Sequence, residues 1–401
     1  MISRAVRIAH LIECDGPGGA ERMLASVATA LQAAGHENLV IAPAVGEGWL
    51  ARELSGTGVR VELFRLDRPF SRTFARWLTE TLRRHRIEIA HSHEFTMAVY
   101  GAWAARRARI PHLITMHGSR YYAGRLQRRI AMRLAGRFSE AVVGVSHSLS
   151  QHLARDLWLG PARVVTIPNG VRPPAAGTPS RLREELGLTD GDQLVVAVGN
   201  VYPVKGHSFL LTALSLLGAR FPRLHVAIAG RGELEVALHR RAAELQLDHR
   251  FHLLGLRSDV ANVLAAADLF VLPSLSEGVP LALLEAMLAG RPVIASAVGD
   301  VPQVLDGGRA GVLVPPADAA AIAAALADLL SDPGKARALG EAARTRASAA
   351  YTFDVMMHEY LRLYAQALGN HPHNGRSQRV RDGEREPLPQ DRPPGKRALV
   401  R

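Results

Sequence analysis

The sequence predicts an α/β protein made of two doubly wound domains, each with a parallel sheet. Three observations predict this fold class. The chain has 401 residues, more than a single hydrophobic core usually holds. Short segments rich in β-branched residues alternate with longer segments of helical spacing, the pattern of a parallel sheet covered by helices. That alternation occurs twice, on either side of a Pro- and Gly-rich stretch at 169–180.

The predicted strands are short apolar segments bounded by turn signals. In the first half they are VRIAHLI (6–12), NLVIAPA (38–44), IEIAHSH (87–93), PHLITMHG (111–118) and EAVVGVS (140–146). In the second half they are QLVVAVG (193–199), LHVAIAG (224–230), RFHLLG (250–255), LFVLPS (269–274), PVIASAV (292–298) and AGVLVP (310–315). The stretch between the two series places the domains at 1–172 and 173–350. Residues 369–401 lack apolar periodicity and are rich in Pro and Arg, which is typical of a disordered basic tail.

The composition limits the class of protein. Cys14 is the single cysteine, so an internal disulfide framework is excluded, and the chain opens on a strand-like segment rather than a secretory leader. We therefore expect a cytoplasmic protein. No stretch reaches the roughly 18 consecutive apolar residues of a membrane-spanning helix, so any membrane contact would be peripheral.

The net charge of +12 is concentrated in the first half of the chain. Residues 1–175 carry 24 Arg against 13 Asp and Glu, hence +11. Such a field favours an anionic partner, which could be a nucleic acid, a phospholipid surface or a charged substrate. Because no nucleic-acid-binding motif is present, we expect no nucleic-acid partner.

Two glutamates flank a short apolar run in SEGVPLALLEAM (276–287). Pro280 suits the first position of a helix, so we expect Glu277 in the preceding loop and Glu285 about one and a half turns into the helix. A loop carboxylate beside a helix N-terminus can accept hydrogen bonds from hydroxyl groups, while the helix end favours a phosphate. Two solvated surface glutamates are the alternative interpretation.

Two further motifs favour a phosphate-bearing ligand. Lys205 is one of three lysines in a chain with 46 arginines, and it follows a predicted strand in VGNVYPVKGH. A lysine there offers a compact cation to a diphosphate. The glycine-rich turn DGPGGAE (15–21) would let a phosphate approach backbone N–H groups. It does not match the dinucleotide fingerprint, and no acid ends the second strand, so the sequence argues against a nicotinamide enzyme.

Histidines stand at the ends of two predicted strands. His117 lies in TMHG (115–118), and His91 and His93 form HSH. Two histidines this close could ligate a metal, but we expect one of the pair to pack in the core, and we predict no metal site. The Asp-x-Asp of TDGD (189–192) precedes a strand and is expected to be a turn.

The segment 118–138 is rich in arginine and has no acid. As a helix it would align Leu126, Ile130 and Leu134 on one side, the composition of an interfacial membrane helix. An ordinary amphipathic helix of a basic protein is an equal alternative. The residues predicted for a membrane or acceptor surface are Arg120, Tyr121, Tyr122, Arg125, Arg128, Arg129 and Arg133.

Taken in order, these motifs resemble the retaining glycosyltransferases of family 4 (glycosyl transferases group 1), which have the GT-B fold of two facing Rossmann-like domains. The resemblance extends from about residue 5 to residue 366. It includes GGAER (18–22), TMHG, VSHSLSQHL (145–153), IPNGV (167–171), KGH (205–207), GRGEL (230–234) and EGVPLALLE (277–285). Each motif is weak alone, but the ordered set is specific.

The resemblance implies a nucleotide-sugar site in the second domain and an acceptor site in the first. It implies that Lys205 contacts the diphosphate, that Glu277 contacts the donor sugar hydroxyls and that Glu285 contacts the ribose. His117 would lie beside the transferred sugar. The other donor-binding residues would be Gly18, Gly19, Asn200, Gly230, Arg231, Leu256, Val279, Pro280 and Leu281. The segment 351–368 resembles closing helices that cross back to the first domain.

Two positions depart from the family pattern. Asn200 stands where the family usually has Arg, and Gln303 stands where it usually has Glu. One of the two cations expected on the diphosphate is therefore absent. Lys205 and the glutamate pair remain, so the enzyme interpretation is retained.

The resemblance implies retaining, metal-independent transfer of a sugar from a UDP- or GDP-sugar to a lipid-linked or saccharide acceptor, without a cofactor. The basic first half favours a peripheral position on the anionic inner face of the plasma membrane, in bacterial surface polysaccharide or glycolipid synthesis. One alternative keeps the enzyme but makes the acceptor a soluble small molecule. The other makes the chain a non-catalytic GT-B scaffold or partner-binding subunit.

Overall fold

The computed structural model describes residues 4–16, 18–46, 48–66, 70–118, 122–160, 162–174 and 180–371. The strands of the first domain are β1 Arg7–Leu11, β2 Glu37–Pro43, β3 Arg60–Phe64, β4 Ile89–His93, β5 His112–Met116, β6 Ala141–Gly144 and β7 Val164–Thr166. The strands of the second are β8 Gln193–Val198, β9 Leu224–Ala229, β10 Phe251–Gly255, β11 Leu269–Leu272, β12 Val293–Ser296 and β13 Val312–Val314.

The α-helices alternate with the strands. They are α1 Gly19–Ala33, α2 Trp49–Glu53, α3 Arg72–Arg84, α4 Phe95–Ala108, α5 Leu126–Arg137, α6 His147–Leu157, α7 Leu182–Glu185, α8 His207–Leu217, α9 Glu235–Glu244, α10 Val260–Ala266, α11 Leu281–Leu288, α12 Val301–Val304, α13 Ala319–Ser331, α14 Pro333–Ala350 and α15 Phe353–Asn370.

Both sheets are parallel and doubly wound. The strand order is β3-β2-β1-β4-β5-β6-β7 in the first sheet and β10-β9-β8-β11-β12-β13 in the second. In each sheet the winding reverses beside its first strand, β1 or β8, and a crevice forms there at the carboxyl ends of the strands. The predicted fold class is confirmed.

All eleven predicted strands are present, with ends that differ by a few residues. The sequence pattern missed β3 and β7, which occupy the two edges of the first sheet. β3 (RVELF) alternates apolar and charged residues and is mostly solvent-facing. β7 has only three residues and none of them is fully buried. Edge strands bury less apolar surface, so their hydrophobic signal is weak.

Helix α11 begins one residue later than predicted. Pro280 has φ −74° and ψ 124° and caps the helix from outside, so Leu281 is the first helical residue. The expected positions of the glutamates are confirmed: Glu277 lies in the loop and Glu285 is the fifth residue of α11.

The chain returns to the first domain after α14. Thr352 caps α15 by accepting a hydrogen bond from the backbone of Val355, and it pairs with Val171 in an isolated parallel bridge. Helix α15 then packs against the first sheet, with Tyr360 and Tyr364 fully buried near Ile89. Residues 369 and 370 belong to this helix rather than to the predicted tail. The rest of that predicted tail, from 372, lies outside the described residues.

Candidate active site

A cleft of about 910 Å³ opens between the carboxyl edges of the two sheets. The first domain contributes the turn before α1, and the second contributes the loops after β8, β9 and β10 and the start of α11. The predicted site residues in its lining are Gly18, Gly19, Asn200, Lys205, Gly230, Arg231, Leu256, Pro280, Leu281 and Glu285. Glu277, Val279 and His117 lie outside that lining.

Lys205, after β8, and Glu277, in the loop before α11, form an ion pair in the second domain. The Lys205 Nζ to Glu277 Oε1 distance is 2.7 Å, and the Ser274 hydroxyl donates to the same oxygen at 2.7 Å. The Glu277 side chain is 8% exposed and that of Lys205 is 26% exposed. Gly206, which follows the lysine, has φ +65°, and a Cβ there would lie 2.0 Å from the Pro273 carbonyl oxygen. Only glycine lets the Lys205 turn approach the Glu277 loop this closely.

A second glycine packs closely against the backbone of the Glu277 loop. Gly299 has φ +53°, and a Cβ at this position would lie 1.9 Å from the Glu277 carbonyl oxygen. The backbone of the loop is therefore fixed between Gly299 and the start of α11. The Glu277 carboxylate is placed by backbone packing as well as by its charged partner.

Glu285 faces the cleft from α11. Burial raises the pKa of this carboxyl to about 6, and Arg22 from the first domain opposes the shift. Arg22 also lines the cleft, so a cation of the first domain faces a carboxylate of the second. Sequence reasoning missed Arg22, although it ends the GGAER motif.

His117 is half-buried and lies at the end of a row of imidazoles at the carboxyl edge of the first sheet. Its Nε2 lies 3.2 Å from His93 Nδ1, and the rings stack with an interplanar angle of 20°. Burial lowers the pKa of His117 to about 4. The imidazole is therefore neutral near pH 7 and can exchange a hydrogen bond but does not supply a positive charge.

Glu94 supports His117 from the end of β4. It has φ +65° and ψ 179°, a strained conformation for a residue other than glycine, and its Oε1 accepts a hydrogen bond from the His117 backbone N–H at 3.2 Å. Burial and the neighbouring Glu13 raise the pKa of Glu94 to about 8. Because Glu94 directly follows the IEIAHSH strand, at the edge of the sheet where ligands bind, the sequence could have indicated it as a site residue.

Both members of the HSH pair are buried, so the expectation that only one would pack was wrong. Residues two apart on a strand share a face, and the His91 and His93 ring centroids lie 4.4 Å apart. With His10 they bring ring nitrogens within 4.8 Å of one another. Both nitrogens of His91 are already hydrogen-bonded, to Tyr364 and Thr115 at 2.7 Å each. The cluster therefore offers fewer free nitrogens than the three protein ligands of a typical zinc site.

The arginine-rich segment lies away from the cleft, on α5. Three of its arginines are engaged locally: Arg128 lies 5.8 Å from the Phe95 ring centroid, Arg133 lies 4.8 Å from that of Trp158, and Arg129 lies 3.8 Å from Asp156. Arg125 precedes the helix as its N-cap. Arg120 and Tyr121 lie outside the described residues.

Tyr122 is fully buried, so its assignment to a membrane or acceptor surface was wrong. Its ring packs in the cluster that contains Met116 and Met132, where an aromatic ring loses its whole apolar surface to the core. The apolar stripe of α5 is exposed instead: Leu126 is 71% exposed, Ile130 50% and Leu134 48%. No helix in the described part of the chain is both long enough and apolar enough to cross a bilayer.

The two domains are also joined by a contact between the start of α6 and the loop after β12. Asp300, which precedes α12 and is 4% exposed, accepts hydrogen bonds from the backbone N–H groups of His147 at 2.5 Å and Ser148 at 3.0 Å. These are the first two residues of α6, where the helix dipole is positive. A carboxylate of the second domain therefore caps a helix of the first.

Two family models match the chain, one on each domain. Residues 17–173 match the model described as Glycosyltransferase Family 4, and residues 180–346 match the model described as Glycosyl transferases group 1. The two matches meet in the stretch between β7 and β8.

Curated relatives and solved structures agree with this match. The phosphatidyl-myo-inositol mannosyltransferase of Mycolicibacterium smegmatis is 31% identical over 88% of this chain and 92% of its own length. The UDP-Gal:alpha-D-GlcNAc-diphosphoundecaprenol alpha-1,3-galactosyltransferase of Escherichia coli is 30% identical over 55% of this chain, which spans only 60% of that enzyme. HepE of Anabaena, solved in complex with UDP, superposes with a TM-score of 0.80 at 23% identity, over 90% of this chain and all of that one. With one family model on each sheet and the mannosyltransferase aligned over nearly its full length, this chain belongs to the GT-B glycosyltransferases of family 4.

Proposed function

We propose that this protein transfers a sugar from a UDP- or GDP-sugar to a lipid-linked or saccharide acceptor, with retention of anomeric configuration and without a bound metal. The observation that carries the proposal is the Lys205–Glu277 pair beside the cleft wall that holds Glu285. The pair supplies a cation for the diphosphate and a carboxylate that accepts hydrogen bonds from sugar hydroxyls, and Glu285 supplies a second carboxylate for the ribose.

The charge of the cleft supports a diphosphate leaving group held by protein cations. Its lining among the described residues has one acid, Glu285, and five basic residues, which are Arg22, Arg172, Lys205, Arg231 and Arg257. As the bond from the anomeric carbon to the diphosphate breaks, negative charge grows on the leaving oxygen. Lys205 and the backbone N–H groups at the start of α11 stabilise that charge. Arg22 and Arg231 add cations in a site where Asn200 replaces the usual Arg.

The carboxylates hold the donor rather than act as bases. The Oε1 of Glu277 already accepts hydrogen bonds from Lys205 and Ser274. Its Oε2 is left to accept a hydrogen bond from a sugar hydroxyl. The acceptor hydroxyl attacks from the same face that the diphosphate leaves, and the leaving phosphate oxygen takes its proton. Neutral His117 supports the sugar by a hydrogen bond at this edge. Closure of the two domains excludes water from the reaction.

Two of the relatives support a lipid-linked acceptor. The Escherichia coli enzyme is named for transfer from UDP-Gal to a diphosphoundecaprenol-linked sugar, and the Mycolicibacterium smegmatis enzyme is named as a mannosyltransferase of phosphatidyl-myo-inositol. Both named acceptors are lipid-linked. The Anabaena protein that shares this fold was solved with UDP.

Glu277 provides the test of the assigned site. A screen of nucleotide-diphosphate sugars by thermal shift identifies the donor, because a ligand of the folded state raises Tm. With that donor, we expect Glu277→Ala to lower kcat/KM by roughly 10²–10³-fold. The nucleoside diphosphate alone should bind at least as tightly as before, because Lys205 is released from its partner.

Glu244→Ala is the matched control, since Glu244 is an exposed glutamate on α9. Unchanged turnover in both Glu277→Ala and His117→Ala would show that the site is wrongly assigned. A folded wild-type chain that binds no nucleotide sugar would favour the scaffold hypothesis. Transfer to water-soluble acceptors that is indifferent to lipid would favour a soluble acceptor.

The exposed apolar side of helix α5 supports a membrane-binding role for the first domain. Its exposed stripe continues to Phe138, which is 49% exposed, and it is flanked by arginines, as in helices that lie in an anionic membrane surface. We infer that this stripe docks the enzyme on the inner face of the plasma membrane. The double variant Ile130→Gln/Leu134→Gln should then lose most of its binding to vesicles that contain phosphatidylglycerol.

A matched control exists in the second domain. Leu216 and Val236 are exposed apolar side chains, at 61% and 71% exposure, and Leu216→Gln/Val236→Gln should bind vesicles as the wild type does. Co-sedimentation at low salt measures the difference. Equal binding of the two double variants would rule out docking through α5.

A further inference from the structure

A second cavity, of about 650 Å³, lies at the opposite end of the first sheet from the donor cleft. It is formed at the amino ends of β5 and β6 and by the last residues of α4 and α5. Four of its lining residues are arginines: Arg106, Arg109, Arg137 and Arg163. We call it the arginine pocket. Sequence reasoning placed no function here, because the four residues come from three separate segments.

None of these four guanidinium groups has a carboxylate within ion-pair distance among the described residues. The ion pairs of the first domain use other arginines, which are Arg4, Arg7, Arg60, Arg84 and Arg129. Among the residues that the structure describes, Glu140 is the one acid that lines the pocket. Four like charges around one cavity repel one another, so an anion that enters it relieves that repulsion.

The negative ends of two helices compensate part of the positive charge of the arginine pocket, but not all of it. The C-terminal ends of α4 and α5 both meet the pocket, and each is equivalent to about half a negative charge. Together with Glu140 they offset about two of the four positive charges. A surplus of about +2 remains. That surplus matches the charge of a phosphate monoester at neutral pH, about −1.5 to −2, better than the single charge of a phosphodiester.

Two of the arginines are already held in place. The Arg163 Nη1 donates to the backbone oxygen of Arg137 at 3.1 Å and to that of Ser139. The Arg106 guanidinium lies 4.7 Å from the centroid of the Phe138 ring. A guanidinium has five N–H donors, so these contacts leave others for an oxyanion. Side chains fixed in this way lose less entropy when they bind a ligand.

We propose that the arginine pocket binds the phosphate of a phosphate monoester, outside the donor cleft and independently of sugar transfer. Arginine recognises such oxygens by paired N–H donors. The monoester has two possible sources. Phe138 belongs both to the pocket and to the exposed stripe of α5, so a lipid phosphomonoester headgroup can reach it from a membrane. A soluble phosphate ester can reach it from solution.

The experiment compares two double variants of the full chain with equal net charge. Arg106→Gln/Arg109→Gln alters the pocket, and Arg240→Gln/Arg337→Gln alters two exposed arginines of the second domain. The soluble probe is glycerol 3-phosphate, followed by calorimetry. The membrane probe is a phosphatidylcholine vesicle doped with phosphatidic acid, compared with one doped with phosphatidylglycerol to equal surface charge. Thermal unfolding of each variant confirms that it is folded.

We expect the pocket variant to lose about tenfold or more in affinity for the monoester probe, while the control variant keeps wild-type affinity. Loss with glycerol 3-phosphate indicates a soluble ligand, and loss confined to phosphatidic acid vesicles indicates a lipid headgroup. Arg109→Glu alone serves if the double variant fails to fold, because the Arg109 side chain forms no hydrogen bond or ion pair with the described residues. Equal affinities of pocket and control variants for both probes would overturn the proposal. Donor binding and turnover, measured in parallel, separate this result from failure of the proposed function.

Discussion

At the scale of single residues, the two glutamates of SEGVPLALLEAM have different surroundings. Glu277 is held by Lys205 at 2.7 Å, whereas Glu285 is half-buried in the cleft wall, with a pKa raised to about 6. A carboxyl whose pKa is raised binds its proton more tightly in the folded state. The free energy of unfolding therefore falls by up to about 2 kcal/mol as pH rises from about 4.5 to above about 6.

The same shift predicts a pH dependence of donor binding. Ionised Glu285 accepts hydrogen bonds from ribose hydroxyls better than the protonated acid does. The affinity for UDP or GDP should therefore fall as pH decreases through about 6, by at most about tenfold per pH unit for a single group. Calorimetric titration between pH 5 and pH 8 measures it.

Glu285→Gln supplies the control for this prediction. Glutamine keeps the shape of the side chain without a proton to lose, so the variant should show a flat profile through the same pH range. A wild-type affinity that does not change below pH 6, or a Glu285→Gln profile as steep as that of the wild type, would contradict the role given to Glu285.

At the scale of secondary-structure elements, the sequence predicted what periodicity and turn residues encode. The buried strands, the loop position of Glu277 and the helical position of Glu285 all follow from such local signals. Edge strands β3 and β7 did not, because their residues are half-exposed. The buried position of Tyr122 and the contact between Glu94 and His117 also escaped prediction, because both depend on side-chain packing that hydrophobic periodicity does not encode.

One buried hydrogen bond joins helix α15 to strand β4 of the first sheet, which is distant from it in sequence. The Tyr364 hydroxyl lies 2.7 Å from His91 Nδ1, and both side chains are fully buried. Tyr364→Phe would leave that imidazole nitrogen without a partner. We expect the free energy of unfolding to fall by about 1–3 kcal/mol, measured by urea denaturation.

The control for this variant is Tyr202→Phe. Tyr202 is 44% exposed, so loss of its hydroxyl should leave stability unchanged within about 0.5 kcal/mol. If Tyr364→Phe is as stable as Tyr202→Phe, then α15 is held by apolar packing alone and the His91 bond contributes nothing.

At the scale of the whole molecule, the two domains are connected at three places: α15 crosses back over the first sheet, Val171 pairs with Thr352, and Asp300 caps α6. Sequence alone could predict two domains, but not their contacts, because each contact joins residues more than 150 positions apart. Of the three, only the Asp300 cap depends on one charged side chain. It is therefore the contact that a single substitution can remove without altering either core.

Asp300→Asn should weaken the closed arrangement of the domains. The amide keeps an oxygen for the α6 N–H groups but loses the negative charge that the helix dipole favours, a loss of about 1–2 kcal/mol at a buried site. We expect a larger radius of gyration in solution scattering without nucleotide, and faster dissociation of the nucleotide from the opened cleft. Asp306→Asn, which removes a carboxylate that pairs with Arg309 on the surface, should change neither quantity. Identical scattering and dissociation rates for Asp300→Asn and the wild type would mean that α15 and the Val171 bridge fix the arrangement of the domains without help from the Asp300 cap.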